Sequence, residues 1–229
     1  MTHRTADDRP APACEIDVDD VEVALGGLER PTGPSSCRLL LLLAGVPAVG
    51  KTAVARTLAC RAPIVWLSTD LVRTRLVGTP SYDEVETDRV YRAATGAAVQ
   101  LLAQGLAVCV DATLLRDPAG TSRAHHVDRL RAWCATNGVP VVAVHLTASR
   151  AVLEQRLRRR NQQPERQPGD RDRDDPSVLD LFDGRVPPAG AVEVDTDGRT
   201  VEEITSELLP VVDGRVDPRL AAAHLERRR

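Results

Sequence analysis

The hydrophobic positions divide this chain into alternating strand and helix signals. "RLLLLLAG" (Arg38 to Gly45) is an unbroken apolar run, as a strand covered on both faces requires. A helical pattern follows, beginning near Lys51 and ending before Pro63, and "IVWLS" (64–68) predicts a second strand. From Asp83 to about Gln104, Val90, Ala94, Ala97 and Leu101 fall on one helical stripe, with Gly105 as the stop. "LAVCVDAT" (106–113) predicts a third strand, and a helix from about Ser122 to Thr136 is closed by Asn137-Gly138. "VPVVAVHLTA" (139–148) is a fourth strand, and Ser149 is placed to cap a helix through "AVLEQRLRRR". "AVEVDT" (191–196) is a fifth strand, and "TVEEITSELLPVV" a last helix opened by a capping box of Thr200 and Glu203. This alternation predicts an α/β fold, a five-stranded parallel sheet flanked by helices.

Two stretches carry no such period. Residues 1–36, rich in Pro, Asp, Thr and Gly, read as a loosely ordered N-terminal extension, although "EIDVDDVEVAL" is compatible with a short strand or helix. "NQQPERQPGDRDRDDP" (161–176) is charged and broken by prolines, as a mobile loop is. The expected organisation is therefore an extension over 1–36, one domain over 37–214 and a C-terminal tail over 215–229.

Composition narrows the class. A length of 229 residues suits a single α/β domain, and a net charge of −3 provides no basic excess for polyanion binding. Aromatic residues make up only 2% of the chain, which leaves few platforms for stacking bases, so nucleic acid is not expected as a partner. Cys14, Cys37, Cys60, Cys109 and Cys134 are odd in number and widely spaced, the pattern of free thiols in a reducing compartment. No secretory start and no apolar run near the ~20 residues of a bilayer span are present, so the expectation is a cytoplasmic protein without membrane contact.

The chemistry begins directly after the leucines. Gly45-Val46-Pro47-Ala48-Val49-Gly50-Lys51-Thr52 fits G-x-x-x-x-G-K-[ST] at every fixed position, with an apolar strand before it and a helical pattern after it. Glycines let successive backbone N–H groups turn toward phosphate oxygens, and a helix N-terminus adds positive potential. The Lys51 ammonium can reach the β- and γ-phosphates and the Thr52 hydroxyl can ligate Mg²⁺. The loop therefore calls for a nucleoside triphosphate and Mg²⁺. An N-K-x-D guanine motif is absent, which favours ATP over GTP. The third strand ends in Asp111-Ala112, so Asp111 can join the metal shell while no adjacent Glu is placed to activate water. That favours transfer to an acceptor over hydrolysis.

Asp70 stands at the C-terminal end of the second strand, where α/β sheets place ligands, with Arg73 one helical turn on. A carboxylate there can accept the proton of an attacking hydroxyl; equally, Ser68, Thr69 or Asp70 can simply cap the helix that starts here. Arg156 and Arg160 are four apart and share one helix face. They read either as groups that stabilise phosphoryl charge or as a solvated basic face, with Asp170, Asp172, Asp174 and Asp175 offsetting the charge.

Together "GVPAVGKT", "STDLVRTRL", "VCVDATLL" and "LEQRLRRRN" resemble the small P-loop kinases that include the kinase half of phage polynucleotide kinase, chloramphenicol phosphotransferase, gluconate kinase and zeta toxins. The resemblance spans Arg38 to Val212. It implies a P-loop NTPase fold of the nucleoside-monophosphate-kinase type with an arginine-rich lid. It also implies that Asp70 is the general base, that Arg73 binds the acceptor or its flanking anionic group, and that arginines such as Arg156 and Arg160 close over the transferred phosphoryl group. The reading is an ATP- and Mg²⁺-dependent transfer to a hydroxyl of a small molecule, such as a sugar, antibiotic, nucleoside or natural-product intermediate. A polynucleotide 5′-hydroxyl kinase and a non-catalytic ATP-binding module are the alternatives.

Other residues suggest packing. His125 and His126 have no evident metal partner and read as surface or interface groups, His145 as a hydrogen-bonded core residue and Cys109 as a small buried hydrophobe. Tyr82 and Tyr91 flank the expected acceptor side. Asp195 and Thr196 end the fifth strand where a nucleotide base would lie.

Overall fold

The computed structural model describes residues 17–31, 37–117, 124–162 and 175–227. The strands are β1 (Leu40–Ala44), β2 (Ile64–Ser68), β3 (Ala107–Asp111), β4 (Val141–Thr147) and β5 (Val192–Asp195). The α-helices are α1 (Val18–Leu25), α2 (Lys51–Arg61), α3 (Thr69–Val77), α4 (Glu84–Ala103), α5 (Ala124–Thr136), α6 (Arg150–Asn161), α7 (Val201–Val212) and α8 (Ala221–Glu226). All strand pairs are parallel and run in the order β2-β3-β1-β4-β5.

The leucine run explains the layering. Successive strand residues face opposite sides. Leu39, Leu41 and Leu43 therefore enter the core formed with α2, α6, α7 and α8, through residues such as Leu58, Leu157, Leu208 and Leu225. Leu40, Leu42 and Ala44 enter the opposite core, with Val21 of α1, Val72 of α3, Leu101 of α4 and Leu130 of α5. All five leucines are fully buried. Each contributes about 1.5–3 kcal/mol of transfer free energy, so β1 anchors both halves of the molecule.

The expected helix stripe is buried along α4, whose N-cap Asp83 accepts from the Glu86 N–H, and Gly105 closes it with φ +84°. Ser149 caps α6, and the Thr200–Glu203 capping box opens α7. The helix expected from Ser122 begins at Ala124 among the described residues.

Two expectations differ from the structure. Part of the 1–36 stretch is packed rather than loose. Helix α1 buries Val21 and Ala24, and Asp20 receives two hydrogen bonds from Arg89 of α4, at 2.6 and 2.7 Å. Among the described residues of the expected C-terminal tail, α8 buries Ala221 and Leu225 in the same core as β5 and α7. Helices this short are marginal alone and form because tertiary packing completes them. The loop over 163–174 lies outside the described residues.

Candidate active site

The strand order sets β1 between β3 and β4, so the glycine loop leaving β1 opens beside the acidic end of β3. Gly45 has φ +147°, and a Cβ there would meet the Leu146 carbonyl oxygen at 2.6 Å, so only glycine fits between β1 and β4. The Gly45 N–H donates to the Thr113 carbonyl at 3.1 Å, tying the loop to the segment after β3. Val46, Pro47, Ala48 and Val49 carry the loop to Gly50. Gly50, at φ +109°, is the N-cap of α2 and offers no side chain to that helix end. The uncapped α2 terminus is the anion-binding end of a helix.

The side chains that follow line the loop and the adjacent strand end. Lys51 Nζ donates to the Gly45 and Val46 carbonyls, both at 2.9 Å, so the ammonium lies against the loop. The Thr52 hydroxyl donates to Asp111 Oδ2 at 2.7 Å. Neighbouring oxygen ligands in an octahedral Mg²⁺ shell, with bonds of 2.0–2.1 Å, are about 2.9 Å apart. The Thr52–Asp111 pair therefore fits a Mg²⁺ site in donor type and in spacing.

Asp111 is 3% exposed. Burial pushes its carboxyl above the ordinary carboxylate range; Lys51 and the Thr52 and Trp66 hydrogen bonds oppose that rise, and the negative charge of Asp70 adds to it. A nearby cation would lower the cost of ionising it. Trp66 Nε1 donates to Asp111 Oδ2 at 3.3 Å, and the Thr69 hydroxyl donates to the Asp111 carbonyl at 3.4 Å. Neither contact is legible in the motif, because both depend on the β2–β3 register that sets Ser68 opposite Asp111.

Asp70 is exposed in the first turn of α3, and the N-cap Ser68 makes no side-chain capping bond. Arg73, one turn on, is 6% exposed and ion-paired with Glu86 of α4. Its Nη2 donates to the Thr87 hydroxyl at 3.4 Å, and the guanidinium lies 4.6 Å from the centre of the Tyr82 ring. Glu86 also accepts from the Ser81 N–H at 2.6 Å, the Ser81 hydroxyl at 2.9 Å and the Tyr82 N–H at 3.2 Å. Burial acts to raise the Glu86 carboxyl, but these donors and Arg73 hold it below its ordinary range. Arg73 is thus committed to a pocket between α3 and α4, and the sequence did not signal Glu86 as its partner.

At the other side of the loop, Arg156 of α6 donates to the Val49 carbonyl at 3.2 Å, the Thr196 hydroxyl at 2.9 Å and the Thr196 carbonyl at 2.9 Å. It bridges the glycine loop and the end of β5. Arg160 follows one turn later and is half-buried. Asp197 accepts from the Ser149 N–H at 3.0 and 3.1 Å and so fixes the start of α6. The structure thereby brings Lys51, Thr52, Asp70 and Asp111 to one strand edge, with Arg156 across the loop and Arg73 turned into the α3–α4 pocket.

Among the described residues, no helix is long and apolar enough to cross a membrane. No curated protein matches the chain in sequence. Among solved structures it is similar to APE1195, at 21% identity and TM-score 0.58, over 77% of this chain and 95% of that one. It is also similar to the APS kinase CysC of Mycobacterium tuberculosis, solved with AMPPNP and APS, at 17% identity and TM-score 0.54, over 77% and 97% of the two chains. A sugar kinase from a Janibacter species aligns at 15% identity and TM-score 0.53, over 80% and 97%. Residues 40–175, from β1 into the segment after α6, match the family model AAA_33, described as AAA domain. With its glycine loop, acidic β3 end and sheet order, the chain belongs to that AAA domain family and has the fold of the small P-loop kinases.

Proposed function

We propose that this protein is a kinase that transfers the γ-phosphoryl group of ATP to a hydroxyl of a small molecule. The observation that carries the reading is the exposed Asp70 carboxylate, at the strand edge that also holds Lys51, Thr52 and Asp111. Motor and remodelling ATPases usually carry a Glu after the acidic residue that ends this strand, to prepare water, and here Ala112 occupies that position, which favours transfer over hydrolysis. An acceptor hydroxyl beside Asp70 has a base for its proton. AMPPNP, an ATP analogue, in the structurally similar APS kinase supports an adenine nucleotide as donor.

In this reading Gly45 to Thr52 cradle the triphosphate, and Lys51 neutralises charge at its β- and γ-phosphates. Thr52 and Asp111 would hold Mg²⁺, which would supply charge neutralisation on the phosphate oxygens. Asp70 takes the acceptor's proton as the acceptor oxygen bonds to the γ-phosphorus and the bond to the β–γ bridging oxygen breaks, releasing ADP. Arg156 and Arg160 stabilise the charge in transit from the α6 side. Arg73 is a positioning residue, since its guanidinium is held by Glu86 and Thr87 and fixes the turn of α3 that carries Asp70.

The test is transfer from γ-labelled ATP across a pooled library of hydroxyl compounds. The wild-type chain is expected to label an acceptor, and Asp70→Asn to abolish transfer while leaving ATP affinity within about twofold, because the base acts only in the transition state. Equal turnover in the variant would remove Asp70 as base. ATP binding without transfer to any compound would favour a non-catalytic nucleotide-binding module. Labelling of a 5′-hydroxyl oligonucleotide, lost steeply with added salt, would favour the polynucleotide kinase reading.

A further inference from the structure

Outside the phosphate loop, α4 and α5 bring three metal-ligating side chains together. Asp88 lies on α4, and His125 and His126 lie in the first turn of α5. His126 is 3% exposed, and its Nε2 lies 2.7 Å from Asp88 Oδ1. The Nε2 of the exposed His125 lies 3.7 Å from the same oxygen. The two imidazole rings have centroids 3.9 Å apart with 41° between their planes.

Neighbouring residues on a helix do not ordinarily face one another. Here both rings turn onto one carboxylate oxygen, although a single hydrogen bond from His126 already satisfies the pairing. The sequence reading found no partner for these histidines because Asp88 is remote in sequence and is delivered by helix packing.

We propose that Asp88, His125 and His126 form a binding site for a divalent transition-metal ion of the Zn²⁺ class, which ties α4 to α5. The donor set selects the ion. Two imidazole nitrogens and one carboxylate oxygen suit a borderline cation, whereas Mg²⁺ prefers oxygen throughout. Ligand atoms in a tetrahedral shell with bonds of 2.0–2.1 Å are about 3.3 Å apart. The separations of 2.7 and 3.7 Å straddle that value, and all three ligand atoms lie within 4.8 Å of one another. A water would supply the fourth ligand of a tetrahedral shell.

Arg92 Nη1 lies 3.9 Å from the other carboxylate oxygen, Oδ2, and so orients Oδ1 toward the histidines. The positive charges of Arg92 and of Arg129, which acts on His126, set a limit on affinity, so an exchangeable ion is expected rather than a permanent structural one. Asp88 is two residues from Glu86, the partner of Arg73, so the ion would fix the same turn of α4 that closes the α3–α4 pocket. None of its three residues belongs to the phosphate loop, and the proposal does not depend on the kinase reading.

The experiment titrates the full chain, stripped with a chelator, with Zn²⁺ by calorimetry and with Co²⁺ by visible absorption. The expected result is one Zn²⁺ per chain, a higher melting temperature with Zn²⁺, and Co²⁺ bands without thiolate charge transfer. Asp88→Asn and His125→Ala are each expected to weaken Zn²⁺ binding by roughly 10–100-fold. Both positions are partly exposed, so these variants keep the test valid even if the buried His126→Ala does not fold. Failure of the wild-type chain to bind Zn²⁺ would overturn the proposal. So would unchanged binding in the two variants, or thiolate bands that move the site to the cysteines.

Discussion

At the scale of single residues, Asp111 shows how the candidate site trades stability for chemistry. It is buried, it accepts from Thr52 and Trp66, and its carboxyl sits above the ordinary range. The ionised form therefore costs more in the fold than in the unfolded chain. The sign follows: the stability that depends on Asp111 falls as pH rises through the carboxylate range. Asp111→Asn removes the charge and keeps an oxygen that accepts from Thr52. The metal-free variant is expected to melt higher, with a gain of about 1 kcal/mol. Mg²⁺-dependent transfer is expected to fall by about 10²-fold or more, because a contribution of several kcal/mol from the ion is lost. A calorimetric melt and a transfer assay read the two effects separately, and a lower melting temperature would show that the buried charge is compensated. The glycine loop and the Asp111 strand end were legible in the sequence because their chemistry is local. Trp66 was not, because its contact depends on a strand register that no local pattern encodes.

At the scale of elements, the α3–α4 pair is held by a buried ion pair whose acidic half was invisible in the sequence. The Asp70-x-x-Arg73 spacing predicted correctly that both residues lie on one helix, but it did not predict that Arg73 turns inward to Glu86. That partner arrives only when α4 packs on α3, and its donors Ser81 and Tyr82 lie in the connecting turn. Glu86→Gln leaves an uncompensated guanidinium in a buried pocket, and a loss of about 3–5 kcal/mol is expected by urea denaturation. Because the Glu86 carboxyl is held below its unfolded value, its contribution is fully present above the unfolded pKa and is lost as pH falls through the folded one. The variant should therefore show a flatter acid limb than the wild type. The double variant Arg73→Met with Glu86→Leu is expected to recover most of the stability. Transfer should stay low if the guanidinium positions Asp70, and full activity in the double variant would exclude that role.

At the scale of the whole molecule, the proposed function assigns the donor to one face of the sheet and the acceptor to the other. The hydrophobic period of β1 builds both, with odd leucines facing α2 and α6 and even ones facing α3 and α4. That both faces of β1 are covered was readable from its unbroken apolar run. The closure of the two outer surfaces was only partly readable: "EIDVDDVEVAL" was compatible with a short strand or helix at α1, α8 gave no signal, and both are completed by burial. Helix α1 backs α3 and α4, where Val21 is fully buried and Asp20 holds Arg89. Burial of one oxygen pair on one guanidinium sets the register of α1, while Val21 and Ala24 supply its packing energy. Val21→Ala is thus expected to cost about 2 kcal/mol, the transfer and cavity terms of the lost methyls. Its functional effect should be one-sided. The glycine loop, α2 with Lys51 and α6 with Arg156 pack into the core on the opposite face of the sheet from α1, so ATP affinity should match the wild type, while transfer to the acceptor falls as the α3 turn bearing Asp70 loosens. Denaturant midpoints, ATP titration and transfer rates on the one variant decide it. A drop in ATP affinity equal to the drop in transfer would mean that the two sides of the sheet respond as one unit.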